Sequence, residues 1–277
     1  MVTVIGLGPM GQAMVRKFVA AGYPTTVWNR TAGRADGLGA AVAPSVADAL
    51  AANRLVVLSL TDYQAMYDVL GGAELDGKVI VNLSSDTPAR TRAAAKWLAD
   101  RGAELIAGGV MVPAPLVGTE HAYIFYSGRA DVYAVHSELL GHLGKAHYLG
   151  ADHALAQLYY QAQLDIFLTS LSSYLHASAL LKAAGVSAAD FASFAVDNFN
   201  SLSMYVADAA RNIDSGEHPG DLANVTMMGA TADHIVGASR ELGVDPRLPE
   251  AVQAQYERAV KDGHGKSSWT SLIEGLT

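Results

Sequence analysis

The chain has no cysteine, which excludes a disulfide framework and any thiolate-bound metal centre and suits a reducing compartment. Charge is sparse: only 17% of the residues are charged, and the net balance is acidic at −8. Nucleic-acid binding asks for a basic face, so no nucleic-acid partner is expected. The nine histidines show neither HExxH nor any other metal-ligand spacing, and no metal is expected. No uninterrupted apolar run is long enough to cross a bilayer, so no membrane is expected either. Strand-forming residues begin at Val2, so no signal peptide is expected. Repeats and low-complexity stretches are missing as well. The expectation is a compact cytoplasmic protein.

What is present is a large apolar fraction, 51% of 277 residues, enough for one large domain or two of ordinary size. The two halves differ in character. Short β-branched runs appear at 2–6, 25–28, 55–60, 78–83, 103–107 and 122–127, with helix-like segments at 9–22, 45–53, 62–70 and 87–102 between most of them. That alternation predicts crossover units and a mostly parallel sheet, a doubly wound (Rossmann) α/β domain over residues 1–150. From residue 151 strand signals nearly vanish. Long apolar-periodic segments at 151–184, 187–213, 222–242 and 247–262 are separated by AAGVS, DSGEHPGD and LGVDPRLP. These read as helix stops and caps, so an all-helical domain is expected over 151–277. No proline- or glycine-rich linker marks the boundary, and its first long helix is expected to run straight out of the preceding domain.

Immediately after the first strand stands GLGPMG, residues 6–11. In G-x-G-x-x-G, Gly6 permits the tight turn, Gly8 the approach of a pyrophosphate and Gly11 close helix–strand packing, with the helix N-terminus facing the phosphates. Gly6, Leu7, Gly8, Pro9, Met10 and Gly11 are therefore the expected pyrophosphate site. About twenty residues on, an NAD binder carries an acidic residue for the ribose 2′-hydroxyl. This chain has Asn29, Arg30, Thr31 and Arg34 there. A guanidinium pairs with a 2′-phosphate and a hydroxyl can donate to it, which favours NADP(H).

GLGPMG, the NRT after the second strand, and a parallel-sheet half followed by a long helix resemble the β-hydroxyacid and 6-phosphogluconate dehydrogenase superfamily. The resemblance implies that the strand-end loops SLTD and NLSS sit beside ribose and nicotinamide, adding Leu60, Thr61, Asn82 and Ser84 to the cofactor site. It also implies an intertwined homodimer with exchanged helices, in keeping with apolar positions on several faces of 151–184. One departure from the pattern is informative. Hydroxyacid dehydrogenases carry a lysine early in the interdomain helix, in G-x-x-G-x-G-x-x-x-K-x-x-x-N, whereas here none of the seven lysines falls between Gly150 and Leu181. Counting from Gly150 places the missing lysine near Tyr159 or Tyr160. The segment AGGVMVPAPLVGTE (107–120) is also more apolar than the usual hydroxyacid-binding one. Both features, with LYYQA, VWNRT, VNLSSDTP and YLHA, are similar to the imine reductase and reductive aminase branch of the superfamily. That branch holds Asp or Tyr at the lysine position. A Tyr type leans toward (S)-amines.

The chemistry agrees with the substitution. Ketone reduction builds negative charge on oxygen, which a lysine stabilises. An iminium ion is already positive. At about 4 Å and an effective dielectric near 20, two unit charges repel by roughly 4 kcal/mol, about three decades in rate if fully expressed. A neutral phenol removes that penalty and can still donate to nitrogen. Tyr160 is thus the candidate catalytic residue. Tyr159, about 100° around the helix, is expected to pack, and Asp165, about 140° away, should not share Tyr160's face. Val112, Leu164, Phe167, Met204 and His234 are the expected substrate surroundings, although Met204, like Tyr205, Met227 and Met228, also suits core filling. The expected activity is NADPH-dependent reduction of imines, extending to a ketone plus an amine. The rivals are a hydroxyacid dehydrogenase with a displaced acid and a non-enzymatic NADP(H) sensor.

Overall fold

The computed structural model describes residues 1–276, and the chain divides into two compact units, Met1–Asp165 and the part from Ile166 onward. In the first unit the elements run β1 (Val2–Ile5), α1 (Pro9–Ala20), β2 (Thr25–Trp28), β3 (Ala41–Val42), α2 (Val46–Ala52), β4 (Leu55–Leu58), α3 (Tyr63–Leu70), β5 (Val79–Asn82) and α4 (Pro88–Ala99). Then follow β6 (Glu104–Val110), β7 (Tyr123–Gly128), α5 (Ala130–Gly141) and β8 (Lys145–Tyr148). The strands form one sheet in the order β3-β2-β1-β4-β5-β6-β7-β8, parallel throughout except for the antiparallel β6–β7 pair.

Strand side chains point alternately to the two faces, and both faces are covered. Val2, Val4, Val57, Val79 and Val81 pack with Phe18 of α1 and Leu139 and Leu140 of α5. Ile5, Val56, Leu58 and Ile80 pack with Leu50 of α2, Met66 of α3 and Leu98 of α4. Each fully buried side chain of this kind contributes about 1.5–3 kcal/mol, which makes the sheet a firm platform for the loops at its edge.

Three elements were not anticipated. Strand β3 has two residues, too few for a periodic signal, and pairs only with β2. Strand β8 reads KAHY, without a single β-branched residue, and exists because β7 offers it a parallel edge. Helix α5 buries only Leu139 and Leu140 fully, so its apolar stripe is faint.

The second unit is helical: the later part of α6 (Ala154–Ala183), then α7 (Ala188–Ser215), α8 (Val225–Glu241) and α9 (Arg247–Ala259), closing in a 3-10 turn at Trp269–Gly275. Its punctuation follows capping chemistry. Ser187 accepts from the Asp190 amide, Asn224 from that of Met227, and Gly216 ends α7 with φ 71°. Helix α6 corrects one expectation, because by length and composition it could cross a membrane. Gln157, Gln161, Gln163 and Asp165 break up the apolar runs of its first half, and Thr169, Ser170, Ser172, Ser173 and His176 those further on, but its average hydropathy outweighs them. Its buried residues are Ala154, Ala156 and Gln157 alone, while Phe167, Leu168, Leu171 and Leu175 are exposed on the single chain.

Candidate active site

Register brings the functional loops to one edge of the sheet. Trp28, Ile5, Leu58, Asn82 and Ala107 form a single row across β2-β1-β4-β5-β6. These strands are parallel, so the segments that follow them all emerge on the same side. Strand β1 lies between β2 and β4, the point where strand order reverses and where open α/β sheets form their ligand crevice.

The three loop glycines have three separate reasons. Gly6 has φ 95°, and a Cβ there would overlap the Ser59 carbonyl on the β4 loop. At Gly11 a Cβ would overlap the Gly6 carbonyl, so only glycine lets α1 start so close to β1. At Gly8 a Cβ would meet no heavy atom within 4 Å; it faces open space, where a pyrophosphate has room. Helix α1 opens at Pro9 with no side-chain cap. Pro9 lacks an N–H, which leaves those of Met10 and Gly11 to an anion.

Asn29 couples this loop to the next one. Its Oδ1 accepts the Leu7 N–H at 2.8 Å and its Nδ2 donates to the Thr31 carbonyl at 2.9 Å. Gln12 donates to the Arg34 carbonyl at 3.0 Å. Arg30, Thr31 and Arg34 are exposed, and with Leu7, Asn29 and Pro44 they border a cleft of about 350 Å³. Two guanidinium groups and a hydroxyl thus share one cleft beside the glycine loop.

The loops after β4 and β5 are laced together. The Leu60 N–H donates to Ser84 Oγ at 3.0 Å, and the Ser84 N–H to Asn82 Oδ1 at 3.0 Å. Asn82, fully buried, also donates to Met66 Sδ. Asn82 and Ser84 therefore shape the loops with their side chains, and Thr61 is the exposed member of the four. Asp86 follows, its carboxylate accepting the N–H groups of Tyr63 at 3.3 Å and Thr87 at 2.7 Å.

The two tyrosines of α6 stand over one cross-strand pair. Gly109 of β6 is opposite Phe125 of β7. Tyr160 lies against Gly109, its Cβ, Cγ and Cδ2 2.8–2.9 Å from where a Cβ on that glycine would be. Tyr159 meets Phe125 edge-on, with ring centroids 5.5 Å apart, which is the packing role expected of it. Burial raises the Tyr160 phenol above its ordinary pKa, so the neutral, proton-donating form holds at neutral pH. Val112 and Leu164 are half-buried in this unit. Phe167, Met204 and His234 belong to the helical unit, where each is exposed on the single chain; Met204 fills no core. An apolar cavity of about 320 Å³ within that unit is bordered by His176, Leu180, Ile235 and Leu248 and includes none of the three.

Sequence reasoning missed Gly109 and Gln157. The signals existed: a Gly-Gly pair inside a strand marks close backbone approach, and a glutamine in an apolar helix needs partners. Among the described residues no cluster of three or more His, Asp or Glu suited to a metal occurs.

Residues 1–151 match the NAD binding domain of 6-phosphogluconate dehydrogenase, and residues 152–277 the C-terminal domain of the NADPH-dependent reductive aminase-like family. An NADPH-dependent reductive aminase from Aspergillus oryzae is 32% identical over 98% of this chain and 95% of that protein. An imine reductase structure from Bacillus cereus is 48% identical with a TM-score of 0.90, covering 99% of this chain and 98% of that one. A reductive aminase from Aspergillus terreus, solved with NADPH and ethyl-5-oxohexanoate, is 35% identical with a TM-score of 0.95, covering 100% and 99%.

Proposed function

The chain belongs to the family of NADPH-dependent reductive aminases and imine reductases, and we propose that within it Tyr160 is the group that addresses the substrate nitrogen. The reaction is NADPH-dependent reduction of imines to amines, with reductive amination as its extension, and the cofactor is NADP(H). The nicotinamide supplies the hydride, and the protein supplies position and electrostatics. The observation that carries the role of Tyr160 is its contact with Gly109, at the sheet edge from which the loops after β4 and β5 also emerge. A phenol kept neutral there donates to the nitrogen, directly or through water, and adds no positive charge against an iminium ion. Arg30, Thr31 and Arg34 hold the 2′-phosphate; Gly8, Met10 and Gly11 hold the pyrophosphate. Leu60 and Thr61, on loops shaped by Asn82 and Ser84, border the ribose and nicotinamide. Val112 and Leu164, in the same unit as Tyr160, border the substrate.

The exposed Phe167, Leu168, Leu171 and Leu175 of α6, joined by Phe194, Leu202 and Val206 of α7, support a homodimer with exchanged helices, since apolar surface on this scale calls for a partner. A helical domain over 151–277 then serves both dimerisation and substrate, and a nucleotide domain over 1–150 serves the cofactor; the chain's lack of cysteine supports the cytoplasm, a reducing compartment, as its location. NADPH consumption with 2-methyl-1-pyrroline, with no NADPH formation from a β-hydroxyacid and NADP⁺, tests the activity. Light scattering tests the assembly: a fully active monomer would contradict it.

A further inference from the structure

We propose that Gln157 is a positioning residue for hydride transfer, fixing the first turns of α6, and Tyr160 with them, to the loop after β5. The inference rests on the role of Tyr160 stated above. Gln157 is completely buried, and each amide group left there without a partner would cost about 1–3 kcal/mol. All are satisfied, and by backbone alone. Its Nε2 donates to the Ser84 carbonyl at 3.0 Å and the Gly108 carbonyl at 2.9 Å, and its Oε1 accepts the Asp86 N–H at 3.2 Å. One side chain thus joins the loop after β5, the middle of β6 and the start of α6.

Two further contacts extend the clamp. Gln161 Nε2 donates to Ser85 Oγ and the Asp86 carbonyl, each at 3.2 Å. Ser84 Oγ in turn accepts the Leu60 N–H, which carries the connection to the loop after β4. Gln157 and Tyr160 are three residues apart, roughly 60° around the helix. The helix is bonded at Gly108 and packed by Tyr160 at the next residue, Gly109. Only an amide can donate twice and accept once from this position. A carboxylate accepts only, and an ammonium donates only. A merely structural helix contact would be met by leucine or methionine without the requirement for three aligned bonds.

Wild type, Gln157→Met and Gln157→Glu are compared with NADPH and 2-methyl-1-pyrroline from about pH 6 to about pH 9, a window bracketing a carboxyl whose pKa burial raises. Methionine keeps the volume and removes the three bonds. Its kcat is expected to fall at least about tenfold while KM for NADPH stays within about threefold. The primary isotope effect from NADPH deuterated at the transferred position should rise, because hydride transfer becomes slower than the other steps. A neutral glutamic acid still donates once and accepts once, whereas its ionised form turns negative charge on two carbonyl oxygens. The kcat of Gln157→Glu relative to wild type should therefore fall as pH rises. Melting curves run in parallel. A loss of kcat fully accounted for by the unfolded fraction, with wild-type isotope effect and pH profile, would overturn the proposal. If Gln157→Met does not fold, the Gln157→Glu profile decides, and a constant ratio to wild type overturns it. Wild type inactive toward the imine would defeat the proposed function and this role together; active wild type with unaffected variants defeats this role alone.

Discussion

Gly109 and Tyr160 are in a contact that leaves no room for a methyl group: three atoms of the tyrosine lie within 2.9 Å of where one would stand. Gly109 does not have positive φ, so the requirement is steric and not conformational. Gly109→Ala is expected to push the Tyr160 ring outward and to cost about 1–3 kcal/mol of stability from overpacking. Its kcat should fall at least about tenfold while KM for NADPH changes little. Steady-state kinetics and thermal unfolding on one preparation check both parts. Unchanged kcat would separate the strand from the placement of Tyr160.

Gly8 offers the opposite case, because a Cβ there meets nothing in the protein. Gly8→Ala is expected to leave the melting temperature unchanged and to raise the dissociation constant for NADPH about tenfold or more by keeping the pyrophosphate off the loop. Fluorescence titration with NADPH measures this. Tight binding in the variant would remove the pyrophosphate from that position.

Cofactor choice tests the cleft bordered by Arg30, Thr31 and Arg34. Arg30→Ala should raise KM for NADPH by about tenfold or more, the worth of a charge-assisted pair, and affect NADH far less. Equal effects on the two cofactors would take Arg30 out of the 2′-phosphate site.

Much of this was legible in the sequence, for identifiable reasons. The strands β1, β4 and β5 are short runs rich in β-branched residues and buried on both faces, β2 is one buried on a single face, and the glycine loop sits where strand meets helix. The tight turn expected of Gly6 and the close packing expected of Gly11 are what their surroundings require, and Gly8 faces open space. Strand β8 was not legible, because its pairing comes from β7 and not from its own residues. The brace formed by Asn29 between Leu7 and Thr31 was not legible either, since nothing in the sequence separates a side chain that touches a ligand from one that shapes the loop. Gln157 was visible as an oddity in an apolar helix, but its three partners lie about fifty to seventy residues away in the chain and only the fold assembles them.

The ionisation of Tyr160 sets an expected pH dependence. Burial raises its pKa above the ordinary phenol value, and the neutral form is the donor. The kcat should therefore show no decline due to this group as pH rises from neutral to about 10. A basic limb below about pH 9 that disappears in Tyr160→Phe would reverse the sign of that shift.

Tyr160→Phe tests the account most directly, because it keeps the ring against Gly109 and removes only the hydroxyl. The measurement is the single-turnover rate of NADPH oxidation with saturating 2-methyl-1-pyrroline, on enzyme whose NADPH affinity has been confirmed by titration. The rate is expected to fall by about 10²-fold or more, the usual worth of a positioned acid–base group, with NADPH affinity unchanged. A rate within about twofold of wild type, far short of that worth, would contradict the account and return Tyr160 to the status of a packed aromatic.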